Sequence, residues 1–245
     1  MREGPIQEHS YYFPADEITR FMQTIPATDT YEDLHLKRIP EKVVVMTHDD
    51  NFDEEMYRRE QSMGLESTWF LLTGSMSRDI PVDADLQIHF NKEESTLSDQ
   101  IAVFEERLGR RPRFNRNHRL LWRANNFDFP LLALHGIVAD TSLIGTRSFR
   151  PVIHGKILPI WELPFCISDS TERFMASYST ARNHEIPFEK GLSPIVVLSH
   201  PFAVCQSHGL KSCFHDVITY AEKYGYRITS LSRFYEEHLK NLMAV

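Results

Sequence analysis

The sequence predicts an α/β barrel of seven or eight mostly parallel strands in a single domain. Three observations carry that expectation. Short apolar, β-rich runs alternate along the chain with amphipathic helical patterns, as in βα units that build a parallel sheet. The runs start roughly 20 to 35 residues apart, room for a strand and its crossover helix. The 245 residues contain no repeat, low-complexity tract or Gly/Ser linker, and α/β barrels of roughly 200 to 250 residues fold as one domain.

Residues 1–40 are polar and interrupted by proline, with one short helix expected from Ala15 to Met22. They read as an N-terminal extension packed on a barrel made by residues 41–245. The expected strands are Val43 to Met46, Thr68 to Leu72, Leu86 to Ile88, Arg113 to Asn115, Ile137 to Ala139, Ile157 to Leu163, Ile195 to Leu198, and Arg227 to Thr229. The clearest helix is Ser98 to Leu108. Leu97, Ile101, Phe104 and Leu108 recur at helical spacing, Thr96 and Asp99 can form a capping box, and Gly109 follows at C′. Asp53 to Met63 is a second helix, with Met56 and Met63 on one face. Asp216 to Tyr224 is a third and ends at Gly225.

Composition narrows the function classes. With 34 acidic and 27 basic residues the formal charge is −7, and no basic run exceeds Arg110-Arg111. A nucleic-acid partner is therefore not expected, because phosphate binding needs clustered positive charge. No apolar stretch approaches the roughly 20 residues that span a bilayer, and Met1 to Glu8 lacks the hydrophobic stretch of a signal peptide. The expectation is a cytoplasmic protein with no membrane span. Cys166, Cys205 and Cys213 have no Cys-x-x-Cys spacing, so neither a disulfide framework nor a thiolate zinc site is indicated. The 12 histidines are the feature to follow.

In parallel α/β architectures the chemistry gathers where the strands end and the βα loops converge. The first run is followed by Thr47-His48-Asp49-Asp50-Asn51, the third by His89, the fourth by Arg116-Asn117-His118 and the fifth by Asp140. Glu162 lies near the end of the sixth run, and Ser199-His200 follows the seventh. Each has a plain structural alternative. A lone Asp after a strand caps a helix or makes a turn, Asp-Asp-Asn could cap the helix starting near Asp53, and His89, His118 or His200 alone could be hydrogen-bonded loop residues. Repetition at successive strand ends favours chemistry, since caps need Asp, Asn, Ser or Thr and not His. Imidazole and carboxylate together suit a divalent ion, zinc first, with cobalt, nickel or manganese as alternatives. Such an ion polarises a carbonyl and acidifies its bound water, while a second carboxylate and a further histidine supply general base and acid.

These residues resemble the polysaccharide deacetylases of the NodB-homology type, carbohydrate esterase family 4, in order from Lys42 to Leu239. The family's opening strand and Thr-Phe-Asp-Asp-Gly appear as Val43 to Met46 and Thr47-His48-Asp49-Asp50-Asn51, and Ser67-Thr68-Trp69-Phe70 stands where the family has Ala-Thr-Phe-Phe. His-Ser/Thr-x-x-His reads His89-Phe90-Asn91-Lys92-Glu93, with glutamate in place of the second histidine. The Gly-x-x-Pro and Arg-x-Pro-Tyr segments appear as Gly109 to Pro112 and Arg116-Asn117-His118. Asp140-Thr141-Ser142 and Glu162-Leu163-Pro164 look like the family's Asp-Ser-Ser and Glu-x-Pro, and Leu198-Ser199-His200 like its Leu-x-His.

The resemblance implies a distorted (β/α) barrel of seven or eight strands and hydrolysis of an N-acetyl group on a sugar. It implies Asp49 as catalytic base, Arg116 as the arginine that orients it and His200 as general acid. Asp50 and His89 would ligate the metal, with His118 or Glu93 as the third ligand. Trp122 and Trp161 could stack on a sugar ring, with Asp140 and Glu162 beside them, although large aromatics are usually well buried. A cytoplasmic address suggests a nucleotide- or lipid-linked precursor of a surface glycan such as O-antigen or capsule. Two other classes compete: an inactive barrel that binds carbohydrate, suggested by Glu93 and the missing glycine after Asp50, and a glycosidase using Asp49 and Glu162 as its carboxylate pair.

Overall fold

The computed structural model describes residues 15–26, 39, 41–76, 80–121, 128–169, 184–201 and 213–242. One parallel sheet contains strands β1 (Val43–His48), β2 (Thr68–Leu71), β3 (Asp85–Phe90), β4 (Phe114–Asn117), β5 (Ala139–Asp140), β8 (Trp161–Glu162), β9 (Ile167–Ser168), β10 (Ile195–Ser199) and β11 (Arg227–Thr229). The spatial order is β8-β5-β4-β3-β2-β1-β10-β9, and β11 pairs with the start of β1. A hairpin of β6 (Val152–Ile153) and β7 (Lys156–Ile157) stands apart.

The two ends of that order, β8 and β9, are consecutive in the chain. Leu163 and Phe165 donate backbone N–H groups to Asp140 and Leu143 on the β5 side, and Cys166 donates to Val196 of β10. Residues 161–168 are thus one bent segment whose first half pairs with β5 and second half with β10. With that segment counted once, seven strands close a distorted barrel, and β11 adds an eighth beside the start of β1.

Strand alternation sorts the side chains into two layers. Val43, Val45, Phe70, Phe114, Ala139, Trp161, Val196 and Leu198 fill the barrel interior. Val44, Met46, Trp69, Leu71, Ile88, Ile195 and Val197 face outward and pack under the helices with Met56, Ile101, Phe104, Phe214 and Val217. Those helices include α1 (Ala15–Thr24), α2 (Glu54–Ser62), α3 (Leu97–Leu108), α4 (Asp128–Leu134), α5 (Ile186–Glu189) and α6 (Cys213–Tyr224), whereas α7 (Leu231–Phe234), which continues in helical turns to Leu242, packs Leu231, Phe234, Tyr235 and Leu239 with the interior cluster. Of the N-terminal extension, α1 packs against α4 and buries Ile18.

The helix boundaries follow local chemistry. The Thr96 hydroxyl accepts from the Asp99 backbone N–H, and Gly109 closes α3 at φ 65°. Asp53 caps α2 by accepting from the Met56 N–H, which leaves Asp49 and Asp50 free of that duty. The expected run Ile157 to Leu163 is corrected: Ile157 ends the hairpin, and Trp161–Glu162 belongs to the main sheet. His154 and Gly155, both at positive φ, make the tight turn between β6 and β7.

Candidate active site

At the carboxyl ends of β1, β3, β4 and β10 lies a cleft of about 430 Å³ lined by Asp49, Asp50, His89, His118, Arg119, Leu120, Leu198 and His200. Asp49 continues the inward-facing series Val43, Val45, Thr47, whereas His48 points outward. There the His48 Nε2 lies 2.7 Å from Glu60 of α2, with the ring against Trp69. Alternation therefore decides which residue of the Thr47-His48-Asp49 triplet reaches the cleft.

Arg116 reaches across the barrel interior, fully buried. Its Nη1 donates to Asp49 Oδ1 and to the Thr47 hydroxyl, each at 2.7 Å, and its Nε donates to the Thr141 carbonyl at 3.0 Å. The guanidinium lies 4.8 Å from the Phe70 ring centroid and 5.7 Å from that of Phe165. Buried on every side, this pair fixes the Asp49 carboxylate in one orientation. Removing either partner strands the other's charge.

Asp50 turns its carboxylate into the cleft from a left-handed backbone, φ 76°, which Asp adopts more readily than most residues. The turn is held because Leu72 N–H donates to the Asp50 carbonyl at 3.0 Å and Asp49 N–H to that of Ser199 at 2.9 Å. Asp50 Oδ1 lies 3.4 Å from both His89 Nε2 and His118 Nδ1, and the two nitrogens are 3.2 Å apart. Burial opposes the charge on Asp50, but the contacts with His118 and His89 outweigh it and hold the carboxyl well below the usual carboxylate range. His89 Nδ1 lies 2.9 Å from the Arg116 carbonyl. That carbonyl takes the Nδ1–H, which leaves Nε2 as the ring nitrogen turned toward Asp50.

His200 closes the far wall. Its Nδ1 lies 2.7 Å from Asp169 Oδ1, and its backbone N–H donates to Asp169 Oδ2 at 2.5 Å. Burial works against a proton on this ring, but the Asp169 hydrogen bond and the charges of Asp49, Asp169 and Asp50 prevail and raise its pKa to about 8. Asp169 is the residue of this arrangement that sequence reasoning missed. It follows Ile167–Ser168, a strand of two residues that is too short to register as an apolar run.

Six of the expected site residues meet in this cleft or its wall: Asp49, Asp50, His89, Arg116, His118 and His200. Three expected substrate contacts are corrected. Asn115, Asp140 and Glu162 share one register row and turn outward with Ile88, away from the cleft. Asp140 and Glu162 are fully buried. Asp140 accepts from Asn115 at 2.6 Å and from the Ser142 N–H at 2.9 Å, and Glu162 accepts from the Leu143 N–H at 2.9 Å. Burial first, then the Asp140 charge, pushes the Glu162 carboxyl well above its usual range, so it stays protonated and donates to Asp140. Trp161 packs in the barrel core at 2% exposure.

The burial of Glu162 also removes the glycosidase pairing, since it cannot flank a bond in the cleft with Asp49. Glu93 is corrected as the alternative third ligand: its carboxylate lies at the surface, 3.0 Å from the Arg119 guanidinium, and His118 completes the cluster instead. Trp122 lies outside the described residues. Glu41, Glu237 and His238 also converge near the surface, but Arg227 donates to both carboxylates there. No helix among the described residues is long and apolar enough to cross a membrane.

A scan of the sequence against protein-family models finds no match, and a search of curated proteins finds none. Solved structures do match. A Mycobacterium smegmatis protein assigned as a polysaccharide deacetylase superposes with TM-score 0.58 at 14% identity, covering 85% of this chain and 96% of that one. The polysaccharide deacetylase Bc1974 from Bacillus cereus gives TM-score 0.48 at 12% identity, over 78% and 92% of the two chains. A family 4 acetyl xylan esterase from Clostridium thermocellum, in complex with a cobalt ion, gives 0.48 at 13%, over 80% and 91%. The first of these likenesses establishes that the chain shares the barrel of the M. smegmatis protein, nearly end to end.

Proposed function

We propose that this protein is a metal-dependent hydrolase that removes the N-acetyl group from a sugar. The observation that carries the proposal is the convergence of Asp49 on Arg116, Asp50 with His89 and His118, and His200 on Asp169 in one cleft. The fold shared with the M. smegmatis protein assigned as a polysaccharide deacetylase supports it.

The residues fit a divalent ion. One carboxylate oxygen and two imidazole nitrogens lie within 4.8 Å of one another, and the Nδ1 contact with the Arg116 carbonyl leaves His89 Nε2 as the ring nitrogen available to an ion. Asp50, His89 and His118 would hold the ion, and this mixed nitrogen and oxygen set suits zinc. A bound ion would supply Lewis acidity toward the acetyl carbonyl and acidify water. The protein's own groups do the rest. Asp49, held by Arg116, accepts the proton of the attacking water. His200, held by Asp169 and protonated below about pH 8, donates a proton to the departing amine. We further propose that the sugar belongs to a nucleotide- or lipid-linked precursor of a surface polysaccharide such as O-antigen or capsule, processed in the cytoplasm.

Metal analysis of untagged protein tests the assignment. About one divalent ion per chain, lost in Asp50→Ala and in His89→Ala, together with chelator-sensitive acetate release from N-acetylated sugars, is the expected result. A protein with no ion and no acetate release is an inactive carbohydrate-binding barrel, and the proposal fails.

A further inference from the structure

Next to His118 the chain does something the deacetylation chemistry does not require. Arg119 and Leu120 both sit at positive φ, 54° and 53°, a conformation disfavoured for residues with a Cβ. Two successive residues persist there only if their surroundings hold them. The Leu121 N–H donates to the His118 carbonyl at 3.3 Å, and the Lys92 ammonium, itself anchored on Asp128, donates to the Leu121 carbonyl. The result is a rigid corner that places Arg119 on the wall of the cleft beside Asp50, His89, His118 and His200.

Of the described residues that line the cleft, Arg119 alone carries a permanent positive charge. Its ion-pair partner is Glu93, with 63% of the Arg119 side chain and 52% of the Glu93 side chain exposed. So open a pair contributes little to stability and exchanges readily for another oxyanion. The guanidinium offers five N–H donors in a planar fork that matches phosphate and carboxylate oxygens, and a single N–H···O contact at 3.0 Å goes to Glu93.

Building on the deacetylase assignment, we infer that Arg119 selects a substrate whose N-acetyl sugar carries an anionic group, a phosphate or a carboxylate, within reach of the reacting acetamide. Glu93 occupies the fork until that group displaces it. The acidic net charge of the chain is no obstacle, because one local guanidinium recognises one oxyanion and does not attract a polyanion.

Calorimetric titration of the whole protein with N-acetylglucosamine 1-phosphate, N-acetylmuramic acid and the neutral N-acetylglucosamine dimer tests this inference. At least one anionic ligand binds about tenfold more tightly than the neutral one, the worth of a charge-assisted contact. Which one does so separates the phosphate source from the carboxylate source. Arg119→Ala abolishes the preference, and Glu93→Gln, which removes the competing charge, enlarges it. Equal binding of all three ligands, or a preference that survives Arg119→Ala, overturns the inference. If Arg119→Ala does not fold, an unchanged preference in Glu93→Gln overturns it equally. An Arg119-dependent preference without acetate release refutes the deacetylase assignment and leaves this inference standing. Acetate release without the preference does the reverse.

Discussion

Asp169→Asn isolates the device that keeps His200 protonated. In the native protein the Asp169 carboxylate takes both the ring Nδ1–H, at 2.7 Å, and the backbone N–H of His200. The His200 pKa of about 8, against the ordinary 6.5, corresponds to about 2 kcal/mol of preference for the protonated ring in the fold. The raised value fixes the sign. Protonated His200 stabilises the fold fully below pH 6.5, and that contribution fades as the pH rises through about 8. Asparagine keeps an acceptor oxygen but not the charge, so burial counts for more and the His200 midpoint falls from about 8, although the Asp49 and Asp50 charges still favour the proton. Proton NMR of the His200 ring in chelator-treated protein reads the midpoint directly. Urea unfolding at pH 6 and pH 9 provides the second assay: the stability gap between wild type and variant narrows by up to about 2 kcal/mol at the higher pH. A midpoint still near 8 in the variant, or a gap that does not move with pH, refutes the reasoning. In an activity profile the alkaline limb moves downward with the same substitution.

Other expectations concern the buried charges. Arg116→Leu strands the Asp49 carboxylate, 2% exposed, and costs about 3 to 5 kcal/mol in urea unfolding; a loss below about 1 kcal/mol would mean that Asp49 relaxes into solvent. Glu162→Gln preserves the shape of a side chain that is already neutral. The wild type should lose stability as pH rises above about 4.5, because the unfolded chain ionises Glu162 while the fold holds its proton. The variant should therefore gain on the wild type between pH 4 and pH 7 in parallel denaturation curves, and a constant difference across that range would count against a protonated Glu162.

How much of this was legible in the sequence depends on how local the determinant is. The ends of α3 were readable because Thr96, Asp99 and Gly109 act within one helical turn. Asp49, Asp50, His89, Arg116 and His200 were readable because each ends or follows a strand long enough to show as an apolar or β-rich run, in the order of the resembling family. The fate of Asp140 and Glu162 was not. Both follow apolar residues, yet their orientation depends on pairing in register with Asn115 across neighbouring strands, information absent from any one segment. Trp161 went wrong for the same reason, since its row ends in Ala139 and Phe114 inside the core. Spacing alone leaves His118 and Glu93 as rivals, and what separates them is where their loops place them, His118 against Asp50 and Glu93 at the surface with Arg119.

The pairing of β1 bears on how the chain is made. This strand touches β2, which is synthesised soon after it, but also β10 and β11, and the Thr47 hydroxyl donates to a carbonyl 150 residues further on. On a ribosome adding about 5 to 20 residues per second, that interval lasts roughly 8 to 30 s. Throughout it, Val43-Val44-Val45-Met46, uncharged and rich in β-branched side chains, lacks the neighbours that later enclose it, and such segments pair readily with other chains. Yield in a foreign host should therefore respond more to temperature and to chaperones that shield nascent chains than to any change at the cleft.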